Sequence, residues 1–269
     1  MALLTGYDRD TEVEVQQRLL DALESSHGER LRVLLRATYA IMIDAYERTG
    51  AIPNLPDEFE QRLRQWYLDA GGASIEAFGG RVVTQGKAKG LILEVKSFAE
   101  FFQRLAEEWI AAEAIRQRIS NVVNTTRSVI IDRISRGQAA GEGVDVIARG
   151  LRDAVPELSR TRAALISRTE THGAANYGAN GAAISTGLRL RKEWVSVHDH
   201  RTRRIGGRDP AEFDHWAMDG QTVDMDQPFL MPWTKSPLEP LRIMYPGEAG
   251  HPGGATIACR CATVHKVID

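Results

Sequence analysis

Two cysteines near the end of the chain, Cys259 and Cys261, are the residues best suited to binding a metal ion. A single residue separates them, which is too short for a comfortable disulfide. Two thiolates and the imidazole of His215 supply three of the four ligands that Zn²⁺ takes in a tetrahedral structural site. Further histidines are available as the fourth ligand: His198, His200, His251 and His265. The alternative is a reduced, packed Cys-x-Cys turn with His215 hydrogen-bonded nearby.

The histidines on either side of Asp199 allow a second kind of site. His198 and His200 would share one face of a strand, and together with His215 they could bind a catalytic metal ion, as in a nuclease. The sequence contains no phosphate-binding loop, dinucleotide fingerprint or His-Glu-x-x-His motif. We therefore assign no catalytic residue and keep a metal-dependent nuclease or toxin-like enzyme as the alternative to a structural protein.

A basic stretch at residues 189–208 is the feature that best suits nucleic acid. The whole chain has a formal net charge of -2, so any contact with DNA phosphates would have to be local. A solvated basic loop is the alternative. The candidate DNA contacts are Arg189, Arg191, Lys192 and Arg204.

Composition limits the class of protein. Apolar residues make up 43% of the chain and charged residues 26%, which is the balance of a globular protein. No apolar run approaches the ~18 residues of a membrane helix, so we expect no membrane contact. The two reduced thiols fit a cytoplasmic origin.

The first part of the chain, residues 1–155, predicts helices alone. Apolar residues at helical spacing predict helices within 8–48, broken at 25–28, and a further helix from Pro56. The glycines of 71–90 predict an irregular segment.

One long helix is predicted over residues 95–136, because apolar residues recur at helical spacing without Pro or Gly. Two helices with a break near 121–124 are the alternative. The apolar stripe of this helix is too large to leave in water, so we expect the helix to dock on a partner protein. The stripe includes Phe98, Phe101, Leu105 and Trp109.

The second part, residues 156–269, predicts a small α+β domain. A short helix at 144–154 precedes it, and a helix from Pro156 to Thr186 opens it. The second half of the helix from Pro156 is rich in Gly and Ala, which would let another backbone approach it closely. Strands are predicted at 188–197, 256–258 and 263–268. The fold class is therefore α+β, with an all-α region followed by this domain.

Short motifs follow one another through the second part. They begin with Arg-Thr-Glu and a Trp and continue with Asp-x-Arg-Thr-Arg, His-x-x-x-Asp-Gly, Pro-Gly-Glu and Cys-Arg-Cys. In this order they resemble the phage Mu F-like family of minor head proteins, also called phage head morphogenesis proteins, over about residues 160–265. Glu248 stands where the family has Asp, and Ala258 where it has Asn. Besides His215 and the two cysteines, the motif residues are Arg168, Glu170, Trp194, Asp199, Arg201, Arg203, Asp219, Gly220, Pro246, Gly247 and Arg260.

The charged motif residues predict ties between elements. Arg168 and Glu170 are two positions apart on a helix, so they face different directions and would hold different loops. Asp199, Arg201 and Arg203 are expected to form ion pairs with Glu170 and with the neighbouring loops.

The resemblance implies a low-copy structural component of the virion that acts in head assembly. It implies the portal protein as partner, with packaged double-stranded DNA and other head proteins as further contacts. The expected location is the virion interior near the portal vertex, after assembly in the host cytoplasm. A role in DNA ejection belongs to the same expectation.

Overall fold

Six helices and five strands make up the part of the chain that the structure describes. The computed structural model describes residues 3–4, 8–88, 97–207 and 210–268. The helices are α1 (Arg9–Thr49), α2 (Phe59–Ala88), α3 (Phe98–Ala111), α4 (Glu113–Ala139), α5 (Val144–Ser185) and α6 (Gly253–Thr256). The strands are β1 (Leu190–Val195), β2 (Thr222–Asp224), β3 (Phe229–Met231), β4 (Leu241–Ile243) and β5 (Ala262–Val267). A helical region followed by a small sheet-containing region confirms the predicted α+β class.

The first helix runs without interruption for 41 residues, so the predicted break at 25–28 is wrong. The Asp8 side chain caps its N-terminus, and Gly50 ends it in the left-handed region at φ 65°. The polar residues at the expected break serve tertiary contacts. His27 is buried and its ring lies 2.9 Å from the Thr171 hydroxyl on α5.

The glycines of α2 lie inside a packed helix, so the predicted irregular segment is wrong for residues 71–88; residues 89–90 lie outside the described part of the chain. A Cβ added at Gly71 would come within 2.3 Å of the Trp109 indole, and one at Gly79 within 2.5 Å of the Phe102 ring. The glycines thus admit aromatic side chains of α3, and this packing offsets their helix-propensity cost of about 1 kcal/mol each.

A break at Ala112 divides the predicted long helix into α3 and α4. Ala112 has extended backbone angles, so both the uninterrupted helix and the break near 121–124 are wrong; residues 95–96 are not among those described. Trp109 is only 4% exposed and stacks on Tyr67 at 6.2 Å. The stripe that was expected to dock on a partner therefore packs against the core of this chain.

The two helices predicted on either side of Pro156 form one helix, α5, of 42 residues. Leu151 and Ala163, on opposite sides of the proline, belong to the same hydrophobic core. Helix α5 makes its most extensive contacts with α1 and α2. The domain boundary expected between residues 155 and 156 therefore lies within a continuous helix. Among the described helices, none combines the length and apolar character needed to cross a lipid bilayer.

Substituting Ala for Gly at two helical positions tests this packing. A Cβ at Gly178 would lie 2.6 Å from backbone atoms of Ile75, whereas one at Gly80 would meet nothing within 4 Å. We expect Gly178→Ala to lower the free energy of unfolding by about 2 kcal/mol or more, because backbone cannot yield as a side chain does. We expect Gly80→Ala to raise it by about 0.5–1 kcal/mol. Urea unfolding measures both, and equal effects would contradict the close α2–α5 approach.

The sheet is antiparallel with strand order β2-β1-β5, and β3 pairs with β4 in a separate hairpin. β1 and β5 confirm the strands predicted at 188–197 and 263–268. The strand predicted at 256–258 is wrong, because Thr256 ends the short helix α6 and Ala258 has a positive φ of 50°. Buried residues from β1, β3, β4, α6 and the intervening loops form a second core: Trp194, Phe213, Met218, Phe229, Met231, Ile243, Ala255, Cys259 and Cys261.

Candidate metal centre

His215, Cys259 and Cys261 come together in one buried group. The Nδ1 atom of His215 lies 3.6 Å from the Cys259 sulfur and 3.5 Å from the Cys261 sulfur. All three ligand atoms lie within 4.8 Å of one another. Bonds of about 2.0 Å to nitrogen and 2.3 Å to sulfur at tetrahedral angles would place nitrogen and sulfur roughly 3.5 Å apart. The group therefore has the spacing of a preformed metal site.

Helix α5 holds the loop that carries the two cysteines. The Thr169 hydroxyl accepts a hydrogen bond of 3.1 Å from the backbone N–H of Ala258. His172 donates through Nε2 to the Cys261 carbonyl at 2.6 Å. These two side chains fix the backbone on both sides of Cys259, so the sulfur atoms are positioned before any ion arrives.

The orientation of the His215 ring leaves Nδ1 free to act as a ligand. Its Nε2 lies 3.2 Å from the Gly254 carbonyl, which can only accept, so Nε2 carries the proton. A histidine that ligates a metal through one nitrogen and donates from the other to a carbonyl is the usual arrangement at metal sites. The same tautomer would also accept a hydrogen bond from a thiol, so the ring suits both alternatives.

The two thiols differ in acidity. Burial opposes ionisation of Cys259, but hydrogen bonds from Cys261 and from neighbouring backbone N–H groups bring its pKa below the ordinary value. Burial, reinforced by the contact with Cys259, raises the pKa of Cys261 well above the ordinary value. Cys259 is therefore the easier of the two thiols to ionise, and a bound cation would favour the thiolate form of both.

No fourth ligand of the His, Cys, Asp or Glu type joins this group within the described ranges. His251 lies 3.0 Å from Glu248, and His198 stacks on Trp216 at 4.2 Å. His265 and His200 are likewise not part of the group, so the predicted fourth ligand is wrong, as is the nuclease-like set of His198, His200 and His215. A cavity of about 20 Å³ borders the cysteines, which is room for one water molecule.

The Asp-x-Arg-Thr-Arg motif ties its own turn to the cysteine loop. Asp199 forms an ion pair with Arg260, and its carboxylate lies 3.5 Å from Arg201. Arg203 donates to the Ile257 carbonyl at 2.6 Å. The expected ion pairs with Glu170 are wrong, because the partners of these residues lie in the turn and the cysteine loop.

Arg168 and Glu170 point in different directions, as predicted, but they tie helices rather than loops. Arg168 pairs with Glu24 of α1 at 3.1 Å, and Glu170 pairs with Arg118 of α4 at 3.2 Å. Glu170 is buried, and this burial raises its pKa although Arg118 opposes the shift. The two side chains therefore hold α1 and α4 to opposite sides of α5.

Trp194 and the Asp-Gly turn position β1 beside the metal group. Trp194 is fully buried, with its ring edge-on to Phe229 at 5.3 Å and to His215 at 6.2 Å. Asp219 accepts a hydrogen bond of 2.8 Å from the backbone of Ser196, directly after β1. Gly220 adopts a φ of 77° and donates to the Trp194 carbonyl.

The Pro-Gly motif docks on the small residues of α5. Gly247 has a φ of 81°, and a Cβ there would lie 2.6 Å from His172 Nδ1. A Cβ on Gly173 would in turn lie 2.9 Å from the Gly247 carbonyl oxygen. This contact confirms the close backbone approach predicted from the Gly/Ala-rich helix. Thr169 and His172 were missed in the sequence, although both lie within or beside the Arg-Thr-Glu motif.

The basic stretch does not form one surface. Lys192 is fully buried and donates to the Met244 carbonyl at 2.9 Å, so its predicted DNA contact is wrong. Burial also lowers its pKa to about 8. Arg191 pairs with Asp224, whereas Arg189 and Arg204 are exposed beyond opposite ends of β1. Arg208 lies outside the described residues.

Residues 128–264 match the family described as Phage Mu protein F like protein. The match covers half of the chain and includes α5, β1 to β4, the first half of β5 and the metal group. The proteins of this family are structural proteins of phage head morphogenesis. The chain is therefore a virion component. The chain belongs to the phage Mu protein F like family, as its motifs predicted. No curated protein and no solved structure matches it.

Proposed function

We propose that this protein is a minor head protein that binds the portal protein inside the phage head. Family membership supports the role, and one observation of the fold supports it further. The charged motif residues contact other parts of the same chain, as Asp199 does with Arg260 and Glu170 with Arg118. The motifs therefore build a rigid body, which suits an assembly component better than a catalyst.

Binding to the purified portal oligomer of the same phage genome tests this role. We expect the full chain to sediment with the portal in analytical ultracentrifugation at a low ratio of this protein to portal subunits. The major capsid protein of the same phage is the control and should not sediment with it. A chain that binds capsid shells and leaves the portal free would overturn the proposed portal association.

Packaged DNA is the second proposed contact, through the exposed arginines Arg189 and Arg204. We expect weak binding to double-stranded DNA that declines as salt rises, with a smaller salt slope for Arg204→Gln, because each lost phosphate contact lowers the slope by about 1. Filter binding over a salt series measures this. Arg149→Gln on the exposed face of α5 is the matched control, and equal slopes for both variants would remove Arg204 from the interface.

We further propose that the metal centre holds zinc and stabilises the cysteine loop. The buried N,S,S group and the tautomer of His215 support zinc, which favours such ligands. The cavity beside the cysteines would hold a water molecule as the fourth ligand. The ion would then link the loop before β5 to the loop that carries His215.

Cys261→Ser should lower the melting temperature of the full chain, because it removes one zinc ligand and leaves a buried hydroxyl in its place. A chelator should lower the melting temperature of the wild type towards that of the variant and leave the variant unchanged. Metal analysis should give one zinc per chain. If the wild type contains no metal and its melting temperature does not change with the chelator, the group is instead a packed thiol–imidazole turn.

One observation favours a catalytic alternative. Three protein ligands beside a water-sized cavity are also the arrangement of a catalytic zinc. The zinc-loaded protein should then cut plasmid DNA, and His215→Ala should abolish the cleavage. Stoichiometric zinc without cleavage would support the structural role.

A further inference from the structure

We infer that the groove between α4 and α5 receives a short segment of the portal protein that combines aliphatic side chains with a carboxylate. This inference deepens the proposed function and rests on it. The α4–α5 groove is lined by Arg118, Val122, Arg162, Leu165, Ile166 and Ile257, among other residues. It replaces the α3 stripe as the docking surface, because that stripe packs against the core of this chain.

The walls of the groove expose apolar side chains that no other residue in the described part of the chain covers. Leu165 is 48% exposed on α5, and Ile257 is 43% exposed in the cysteine loop. Val122 and Ile166 lie half-buried between them. The groove holds about 280 Å³, close to the roughly 300 Å³ at which ligand pockets begin. That volume suits a few side chains of an extended segment rather than a whole helix.

Two guanidinium groups give the groove its charge. Arg118 pairs with Glu170 through Nη1, while its buried Nη2 has no hydrogen-bond partner in the described residues. Arg162 donates to the hydroxyls of Thr125 and Thr126 at 2.9 and 3.2 Å. Among the described residues that line the groove, one carboxylate faces two guanidinium groups, so the lining carries a net positive charge. A carboxylate on the docked segment would complement this charge.

The cysteine loop supplies one wall, so the metal centre and the groove are physically joined. Ile257 is two residues before Cys259, and its carbonyl accepts the Arg203 hydrogen bond. Thr169, at the floor of the groove, holds the next residue, Ala258. A fixed cysteine loop therefore presents Ile257 to the occupant. This connection predicts that the Cys261→Ser variant binds the same segment less tightly than the wild type.

Overlapping short peptides test the occupant. The set covers the portal protein, the other head proteins of the same phage and this chain itself. The full chain should bind portal peptides that carry a carboxylate beside aliphatic residues, and the binding should weaken with salt. Leu165→Asp and Arg162→Glu should each reduce affinity about tenfold or more, because the first places a charge on an apolar wall and the second opposes the carboxylate.

Matched controls lie on the same helix outside the groove. Ile184 is 56% exposed on α5, so Ile184→Asp controls for Leu165→Asp. Arg160→Glu controls for Arg162→Glu, since Arg160 pairs with Glu157 on the surface. Both controls should bind like the wild type, and circular dichroism should show that all four variants fold.

The outcomes separate the two proposals. Portal binding that survives both groove variants would overturn the groove and leave the portal association standing. Groove-dependent binding of peptides from another head protein, with the portal left free, would overturn the portal association and assign the groove to that protein. Binding of a peptide from this chain would make the groove a contact between copies, and the absence of any groove-dependent peptide would overturn the inference altogether.

Discussion

Replacing Arg118 with Met should lower the free energy of unfolding by about 3–5 kcal/mol. Arg118 is the ion-pair partner of Glu170, at 3.2 Å, and the Glu170 side chain is almost fully buried. Without the guanidinium, the carboxylate would stay in the protein interior without a compensating charge. Met fills a similar volume, so the loss would come from the charge and not from a cavity.

Urea unfolding of three variants isolates this charge effect. Arg116→Met removes an ion pair with Glu113 on the exposed face of the same helix and should cost less than about 1 kcal/mol. The double variant Arg118→Met, Glu170→Gln should recover much of the loss, because no charge is left buried. Equal losses for Arg118→Met and Arg116→Met would show that Glu170 has access to water or to another partner.

The free energy of unfolding lost in Arg118→Met should depend on pH in one direction. Burial already raises the pKa of Glu170 in the wild type, and removing Arg118 raises it further. Below that raised pKa the folded variant binds a proton and the buried group becomes neutral. The difference between variant and wild type should therefore shrink as the pH falls towards 5.

The element types were largely predictable from the sequence, but their ends were not. Helical spacing identified helices within residues 9–49, from Phe59 to about residue 70 and within 98–136, and alternation identified β1 and β5. The wrong predictions of a helix break at 25–28 and of an irregular segment at 71–88 share one cause. Glycine and small polar residues normally mark turns, yet here Gly71 accommodates Trp109 and His27 contacts Thr171. Such partners lie far along the chain, so a local pattern cannot reveal them.

The candidate site was predictable as a set of residues rather than as a set of contacts. His215 and the two cysteines were identified by ligand chemistry, and they do come together. The partners of Asp199 and Glu170 were not predictable, because charge alone does not say which opposite charge is near. Lys192 was mispredicted for a similar reason. A lysine in a basic stretch is expected to be exposed, but Lys192 lies on β1, which pairs with a strand on each side, and it is buried.

Acidification from pH 8 to pH 5 should destabilise the protein through three buried histidines, His27, His172 and His265. Burial lowers the pKa of each of them to about 4 from an ordinary value of 6.5. The unfolded chain therefore binds protons between pH 6.5 and 4 that the folded chain does not, so stability falls as the pH falls through this window. Each histidine should cost about 2 kcal/mol at pH 5, which is large against a total stability of about 5–15 kcal/mol.

Urea unfolding at pH 8, 6 and 5 checks this expectation, with His27→Gln as the informative variant. A glutamine can keep a hydrogen bond to Thr171 and does not titrate, so the variant should lose about 2 kcal/mol less than the wild type between pH 8 and pH 5. His200→Gln is the matched control, because it is the same substitution at an exposed histidine. The metal ligands are the same in the wild type and in both variants, so any effect of their protonation on stability cancels when the three proteins are compared. If both variants lose stability with pH as the wild type does, water must reach His27 in the native state. The packing of α1 against α5 would then be looser than the 2.9 Å contact between His27 and Thr171 indicates.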